Sequence, residues 1–199
     1  AELCPLPGDD LPPFADQRPL VEAVAEFVTG NPLPVVSDRS LASIVFTDIV
    51  SSTDQLSEVG DGAWRATLDQ HDALIERSVM RFRGEIVKTT GDGSVAVFDG
   101  PGRAVECAAA ISAGASSHGL QIRAGVHTGE IERRGRDISG LAVHLAARVA
   151  DCAGADEVVV TRTVTDLVAG SGLAFDSLGE YELKGIRGEW PLYRLRTTR

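Results

Sequence analysis

Apolar and polar positions divide the chain into a short N-terminal part and a long regular part. In residues 1–37, a Pro-rich stretch precedes RPLVEAVAEFVTG, whose apolar spacing predicts one amphipathic helix that ends at Gly30. The next residues, NPLPVVS, have the composition of a linker. From residue 38 onward, segments with strand periodicity alternate with segments with helix periodicity. The pattern therefore predicts two parts, residues 1–37 and residues 38–199.

The long part predicts an α+β fold. LASIVFTDIV is a largely apolar strand suited to the middle of a sheet. Apolar residues at helical spacing follow it: Trp64, Leu68, Ile75, Val79 and Phe82. A hairpin over residues 87–98, an Ala-rich helix over 101–118 and the strand LQIRAGVHTGEI complete a ferredoxin-like βαββαβ core. A helix over 140–151, the strand EVVVT, a short helix and two strands add a C-terminal αβαββ extension.

Charge and composition narrow the classes of partner. The chain has 199 residues, of which 43% are hydrophobic and 24% charged, as in an ordinary globular protein. Its net charge of -10 disfavours nonspecific binding to nucleic acid or to an anionic membrane, and an aromatic fraction of only 5% argues against an RNA-binding ferredoxin-like module. No apolar run approaches the ~20 residues that span a bilayer. We therefore expect no nucleic acid and no membrane among the partners.

The N-terminus and the cysteines bear on processing and location. AELCPLPGDD lacks the basic and apolar regions of a signal peptide, and it lacks an initiator Met, which indicates a fragment of a longer protein. The three cysteines are odd in number and lack metal-ligand spacing. We expect Cys107 and Cys152 to be reduced thiols that fill core space, which favours a cytoplasmic location.

The hairpin VKTTGDGSVAVF carries a polar tip beside two glycines. A lone Asp92 there is most simply a solvated turn residue, and Asp48 followed by SST, residues 51–53, is most simply a capped helix start. In a ferredoxin-like sheet, however, we expect the first strand to lie beside the strand that enters the hairpin, so that Asp48 and Asp92 converge at one edge. Two converging carboxylates repel each other unless cations lie between them, and Mg²⁺ suits such a pair together with phosphate oxygens. Free amides after Ile49 would bind the phosphates. The pattern predicts a two-metal phosphoryl-transfer site.

Three motifs together resemble the catalytic domain of class III nucleotidyl cyclases: FTDIVSST, KTTGDG and GLAVHLAARV. The resemblance covers roughly residues 40–196 and is most similar to actinobacterial, mycobacterial-type adenylyl cyclases preceded by an α/β-hydrolase domain. PLPGDDLPPFADQRPLVEAVAEFVTG resembles the last strand and helix of such a hydrolase, with Leu11 at the position of its catalytic histidine. The resemblance implies that residues 1–37 are a hydrolase-like remnant plus linker and that residues 38–199 are the cyclase domain.

The resemblance implies metal and phosphate ligands. Asp48, Asp92 and the backbone carbonyl of Ile49 match the positions that bind two divalent cations, Mg²⁺ or Mn²⁺. Ser51, Ser52 and Thr53 match the phosphate-binding loop. Lys184, in ELKGIRGEW, is similar to a triphosphate-binding lysine; its alternative is a solvated lysine at a strand end.

The resemblance also implies how the base and the reacting phosphate are bound. Lys88 and Asp137 match the pair that reads the purine. Lys88 donates to adenine N1 and Asp137 accepts from its 6-amino group, whereas guanine presents the opposite pattern, so ATP is favoured over GTP. Arg148 matches the arginine that stabilises charge on the α-phosphate.

One position departs from the family pattern. His144 stands where most members carry asparagine, on the same helical face as Arg148 and beside an apolar stripe of Leu141, Leu145 and Val149. An imidazole can donate one hydrogen bond to a ribose or phosphate oxygen, which makes His144 a catalytic candidate; the alternative is a packing histidine. The three other histidines lack ligand spacing and are interpreted as structural or solvated: His71, His118 and His127.

Together these features predict an adenylyl cyclase. The expected enzyme is a homodimer with head-to-tail shared active sites, in which the ribose 3′-hydroxyl of ATP attacks the α-phosphorus and expels pyrophosphate. Two alternatives stay open at this point. One is a nucleotide-binding regulatory domain with little turnover, for which His144 is the evidence. The other is a cyclase with relaxed choice between ATP and GTP.

Overall fold

The structure is a computed structural model that describes residues 18–30, 39–135 and 137–196. Contacts divide the chain into two compact units, residues 1–37 and residues 38–199. The first unit contains helix α1 (Arg18–Thr29), which ends at Gly30 as the apolar spacing predicts. The Pro-rich stretch and the linker lie outside the described residues, so their assignment to a hydrolase remnant stays a prediction.

The second unit contains all the other elements. Its first half comprises strand β1 (Arg39–Ile49), helices α2 (Ser52–Val59) and α3 (Asp61–Arg81), strands β2 (Glu85–Thr89) and β3 (Gly93–Phe98), helix α4 (Pro101–Ser116), and strands β4 (Ile122–Arg134) and β5 (Asp137–Ser139). Its second half comprises helix α5 (Leu141–Asp151), strand β6 (Val158–Thr161), helix α6 (Arg162–Leu167), and strands β7 (Phe175–Glu182) and β8 (Glu189–Leu195).

One sheet organises this unit. Its strand order is β2-β3-β1-β4-β6-β8-β7, with β5 paired to β4 outside this path. The first four strands have the ferredoxin-like arrangement, in which β1 is antiparallel to both β3 and β4. The later strands extend the sheet through a parallel pairing of β4 with β6. The predicted βαββαβ core and αβαββ extension are therefore both present.

The expected neighbour of β1 was wrong. β1 pairs with β3, which leaves the hairpin, and β2, which enters the hairpin, forms the sheet edge. All six residues of β3 are buried, whereas β2 is at most half-buried, so the more apolar strand takes the central place. A second difference is that Gly60, with a φ of 78°, separates α2 from α3 where one continuous helix was expected.

The core lies on both faces of the sheet. Because successive strand residues point to opposite faces, Val45 joins one apolar cluster with α3 and α4, and Ile44 joins another with α5. Ala104, Ala108 and Ala115 of α4 are fully buried, as the Ala-rich sequence indicates for a closely packed helix. The apolar run of β1 is thus explained by burial on two sides.

Helix α5 packs directly on the backbone of β4 at Gly125. A Cβ atom added to Gly125 would lie 2.2 Å from the amide nitrogen of Ala150 and 2.8 Å from the carbonyl oxygen of Ala146. These contacts involve backbone atoms, which cannot turn aside as a flexible side chain can. Gly125 therefore sets the distance of α5 from the sheet.

Replacement of this glycine tests the packing. We expect Gly125→Ala to lower the free energy of unfolding by about 1–3 kcal/mol, the usual range for overpacking, and near its upper end because backbone must shift. Urea denaturation followed by circular dichroism measures the change. Gly102→Ala in α4 is the control, since its added Cβ has no atom within 4 Å. Equal stability of Gly125→Ala and the wild type would show that α5 is not held this closely.

Candidate active site

The two predicted metal carboxylates lie at one edge of the sheet. Asp48, near the end of β1, pairs with Gly93, the first residue of β3. The next residue, Ile49, donates its backbone N–H to the carbonyl oxygen of Asp92 at 3.1 Å. The tip of the hairpin is therefore bound to the end of β1, and the structure brings Asp48, Ile49 and Asp92 together.

The two glycines of the hairpin have separate roles. Gly91 adopts a φ of 94°, in the region that favours glycine. Gly93 is required by space, because an added Cβ would lie 2.5 Å from the carbonyl oxygen of Thr47 and 3.4 Å from Oδ1 of Asp48. The sequence Gly-Asp-Gly therefore serves both the turn and the close approach of the hairpin to β1.

Each carboxylate accepts hydrogen bonds from a protein group. Arg123 donates to Oδ2 of Asp48 from Nε, at 2.9 Å, and also from Nη2. Ser52 donates its hydroxyl to Oδ2 of Asp92 at 2.5 Å. Arg123 was not identified from the sequence. It lies directly opposite Asp48 in the β1–β4 ladder, so only the strand register could have revealed it.

The segment after β1 leads into a helix N-terminus. Val50 donates its N–H to the carbonyl oxygen of Gln121 at 2.9 Å, and Ser51 adopts a left-handed conformation with a φ of 55°. Helix α2 then begins at Ser52 without a side-chain cap on its first amides. First-turn amides and the helix dipole together favour an anion. The first turn of α2 thus begins beside Asp92, to which Ser52 donates its hydroxyl.

The donor set fits a hard divalent cation. Within residues 18–30, 39–135 and 137–196, no group of three or more His, Cys, Asp or Glu side chains could hold a metal ion. A site that offers two carboxylates and a carbonyl suits Mg²⁺ or Mn²⁺, which complete their shells with phosphate oxygens and water. The same set is unsuited to a structural zinc ion, which takes four nitrogen or sulfur ligands.

A second group of predicted residues lies on α5 and the turn between β7 and β8. His144 is exposed, and Arg148 donates from Nε to the carbonyl oxygen of Lys184 at 3.1 Å and from Nη1 to Asp151 at 2.9 Å. The side chain of Lys184 is exposed. Leu145 and Val149 are buried as expected, but Leu141, at the start of the helix, is 61% exposed and is not part of the buried stripe.

The predicted base-reading residues lie on two short strands. Lys88 is in β2 and Asp137 is the first residue of β5, and both side chains are exposed. Their neighbours Val87 and Ile138 belong to the same apolar cluster, which draws β2 and β5 together. Asp137 also accepts the backbone N–H of Ile138 at 2.9 Å.

Asp48 of β1 and Asp137 of β5 lie beside opposite ends of strand β4. Asp48 pairs with Arg123, and Asp137 pairs with Arg134. The intervening eleven steps along the strand correspond to roughly 35 Å of extended chain. A cavity of about 400 Å³ at the start of α5 lies toward the Asp137 end, and neither Asp48 nor Asp92 lines it. One chain therefore does not gather all the predicted residues around a single point.

The remaining histidines agree with a structural or solvated role. His118 is exposed in the turn after α4, whereas His71 and His127 are buried. Nδ1 of His127 is 2.8 Å from the hydroxyl of Thr161, and its ring meets Trp190 edge-on at a centroid distance of 6.3 Å. Burial lowers the pKa of His127 to about 4.

Burial of His127 makes the free energy of unfolding depend on pH. Between its ordinary pKa of 6.5 and about 4, the unfolded chain binds a proton at His127 that the folded chain does not bind. The free energy of unfolding should therefore fall as the pH falls through this window, by up to about 3 kcal/mol from this residue. We expect His127→Gln to reduce the loss of stability between pH 7 and pH 4.5, measured by urea denaturation.

The matched control is His118→Gln, which removes an exposed histidine from the turn after α4. Its stability should vary with pH as that of the wild type does. A His127→Gln variant with an unchanged pH dependence would mean that His127 takes up its proton equally in the folded and unfolded chains.

Comparisons with known proteins show which proteins this chain is similar to. A family model described as the adenylate and guanylate cyclase catalytic domain matches residues 36–197. The chain is 27% identical over 157 residues to a putative adenylate cyclase 3 of Rhizobium meliloti, covering 74% of this chain and 27% of that protein. It is 28% identical over 193 residues to a pH-sensitive adenylate cyclase of Mycobacterium tuberculosis, covering 92% of this chain and 48% of that protein. The chain thus spans between about a quarter and a half of these relatives.

Solved structures share the fold. An adenylate/guanylate cyclase/hydrolase from Silicibacter pomeroyi is 26% identical, with a TM-score of 0.74, and covers 81% of this chain and 99% of its own. The adenylyl cyclase CyaB from P. aeruginosa is 20% identical, with a TM-score of 0.71, and covers 83% and 98%. The predicted cyclase-type α+β fold is confirmed.

None of the described helices has both the length and the apolar character needed to span a membrane.

Proposed function

Because the chain belongs to the adenylate and guanylate cyclase catalytic domain family, we propose that it converts ATP into 3′,5′-cyclic AMP and pyrophosphate. The observation that carries this proposal is the convergence of Asp48 and Asp92 beside the first turn of α2. Carboxylates for cations and amides for phosphates are the two requirements of a phosphoryl-transfer site.

The cation ligands in this proposal are Asp48, Asp92 and the carbonyl of Ile49. Two Mg²⁺ or Mn²⁺ ions held there would lower the pKa of the ribose 3′-hydroxyl and neutralise the phosphates. The chain's own contribution is position: the bond from Ile49 to Asp92 keeps the hairpin at the end of β1. The backbone after β1, with Ser51, Ser52 and Thr53, orients the phosphates.

The nucleotide-binding residues in this proposal are the base-reading pair on β2 and β5 together with the group on α5 and the turn between β7 and β8. Lys88 donates to adenine N1, and Asp137 accepts from the 6-amino group. Arg148 stabilises the charge that develops on the α-phosphate, and His144 donates one hydrogen bond to a ribose or phosphate oxygen. Lys184 binds the triphosphate in this proposal. Its backbone carbonyl oxygen accepts a hydrogen bond from Arg148, so the positions of the two residues are linked.

We propose that these groups meet across a head-to-tail homodimer. One support is the separation of Asp48 and Asp137 along β4. The other is that Arg148 donates hydrogen bonds to Asp151 and Lys184 of its own chain and not to Asp48 or Asp92. Asp48 and Asp92 of one subunit would face Lys88, Asp137, His144 and Arg148 of the other. A two-fold dimer contains each such pairing twice and so forms two equivalent sites.

Two other functions have specific support. A regulatory nucleotide-binding domain with little turnover is favoured by His144 in place of asparagine. A cyclase that uses both ATP and GTP is favoured by the family description, which covers both activities. Product analysis separates the three functions.

The first test measures cyclic nucleotide formation with Mn²⁺. We expect cyclic AMP from ATP, with kcat/KM for GTP lower by at least about tenfold, because one mismatched hydrogen bond in a closed site costs on the order of 1–3 kcal/mol.

In the same assay, Asp92→Asn should reduce turnover at least about a hundredfold, since a cation ligand is lost. Asp99→Asn is the control. Asp99 is an exposed residue after β3, and within the described residues its ion pair is with Arg103.

The outcomes distinguish the alternatives. Equal use of GTP would reject the assignment of Lys88 and Asp137 to adenine recognition. Binding of ATP without any cyclic product would favour the regulatory domain. Full activity of Asp92→Asn would reject the two-metal site.

The second test mixes two inactive variants, Asp48→Ala and Arg148→Ala, under conditions of subunit exchange. Each mixed dimer then has one site with both substitutions and one site with neither. With random exchange, about half of the dimers are mixed and half of their sites are intact, so roughly a quarter of wild-type activity should return. Exchange is verified by pull-down of differently tagged subunits. A mixture that exchanges but stays inactive would reject the shared site.

A further inference from the structure

Asp48 already has a cationic partner within its own chain. The guanidinium of Arg123 donates twice to the same oxygen, Oδ2, while Oδ1 faces the backbone of Gly93. The side chains of Arg123 and Asp48 are 34% and 30% exposed, so the pair is partly shielded from water. Direct opposition in the β1–β4 ladder holds both residues on one face of the sheet.

The two carboxylates differ in the charge of their partners. Asp92 accepts a hydrogen bond from the neutral hydroxyl of Ser52, whereas Asp48 is bound to a full positive charge. Arg123 therefore neutralises one of the two carboxylates without any bound cation. An arginine keeps its charge at every physiological pH, so this neutralisation does not depend on protonation.

A divalent cation at Asp48 would lie next to this guanidinium. Two cations that share one carboxylate repel each other, and water screens this repulsion less in a partly shielded site than at an open surface. A polyphosphate removes the repulsion, because its oxygens supply negative charge that both cations can share. Cation and polyphosphate should then bind better together than separately, and this coupling is reciprocal.

We propose that Arg123 is a positioning residue that serves as the resident counter-cation of Asp48. It opposes the binding of a free divalent cation and gives way when the cation arrives with a polyphosphate. This inference rests on the proposed function, since it assumes that Asp48 and Asp92 are cation ligands. Its consequence is that the site selects the metal–nucleotide complex over the free metal.

The chain contains a matched arginine for comparison. Arg133 lies on the same strand, β4, its side chain is also 34% exposed, and it pairs with Glu85 at 2.8 Å. It lies toward the opposite end of β4 from Asp48. Arg123→Gln and Arg133→Gln therefore remove the same charge from two equally exposed arginines on one strand, and only the first removes it from Asp48.

The experiment measures Mn²⁺ binding to the nucleotide-free protein by the electron paramagnetic resonance signal of free Mn²⁺. We expect Arg123→Gln to lower the Kd for Mn²⁺ at least about tenfold, because the nearest repelling charge is gone. Arg133→Gln should stay within about twofold of the wild type. Inorganic triphosphate should then increase the Mn²⁺ affinity of the wild type at least about fivefold more than that of Arg123→Gln.

Two further measurements keep the test valid if Arg123→Gln folds poorly. Arg123→Lys retains the positive charge, so its Kd for Mn²⁺ should stay near the wild-type value. In the unmodified protein, the ¹⁵N–¹H signal of Arg123 Nε should shift on addition of Mg²⁺ with triphosphate, while the signal of Arg133 Nε should not. An Arg123 signal that stays unchanged while Mg²⁺ binds would overturn the inference.

Failure of the inference is distinguishable from failure of the proposed function. If Arg123→Gln binds Mn²⁺ no more tightly than the wild type, while Asp92→Asn loses Mn²⁺ binding, the counter-cation role is wrong and the metal site stands. If neither the wild type nor Arg123→Gln binds Mn²⁺ even with triphosphate, the metal site is wrong and the inference falls with it.

Discussion

The site depends on the central position of β1, which pairs with β3 on one side and with β4 on the other. This double pairing gives Asp48 two neighbours from distant parts of the chain, Gly93 and Arg123. Because successive residues of β1 pack into different apolar clusters on the two faces, a shift of its register by one residue would move each side chain into the packing of the opposite face. The apolar core thereby sets the position of a polar edge to within one residue.

A second constraint connects the sheet to the α5 helix. The absence of a side chain at Gly125 lets α5 lie directly on β4, and Leu145 and Val149 pack with Leu183 and Leu192 of the C-terminal extension. This packing brings Arg148 to the carbonyl oxygen of Lys184. The C-terminal strands are therefore part of the surface that carries His144 and Arg148, and their core stabilises it.

Charge has different effects over the whole chain and at the site. A net charge of -10 repels polyanions at a distance, so any polyanionic ligand would have to be attracted locally. The edge at Asp48 supplies amides at the start of α2 and one guanidinium beside two carboxylates. Arg123 offsets the charge of one of the two carboxylates, whereas Asp92 accepts a hydrogen bond from the neutral hydroxyl of Ser52.

The sequence by itself determined the order of the elements, because helix and strand periods and Gly-rich turns are local signals. It predicted that Asp48 and Asp92 converge, but through the wrong neighbour of β1. Only the tertiary structure decided that β3 and not β2 lies beside β1, since that choice depends on which strand buries more apolar surface. The pairing of Arg123 with Asp48 was likewise hidden, because 75 positions separate the two residues and only the strand register aligns them. The exposure of Leu141 was also not evident from the apolar spacing of α5. Local patterns specify elements, but non-local burial and register decide which side chains meet.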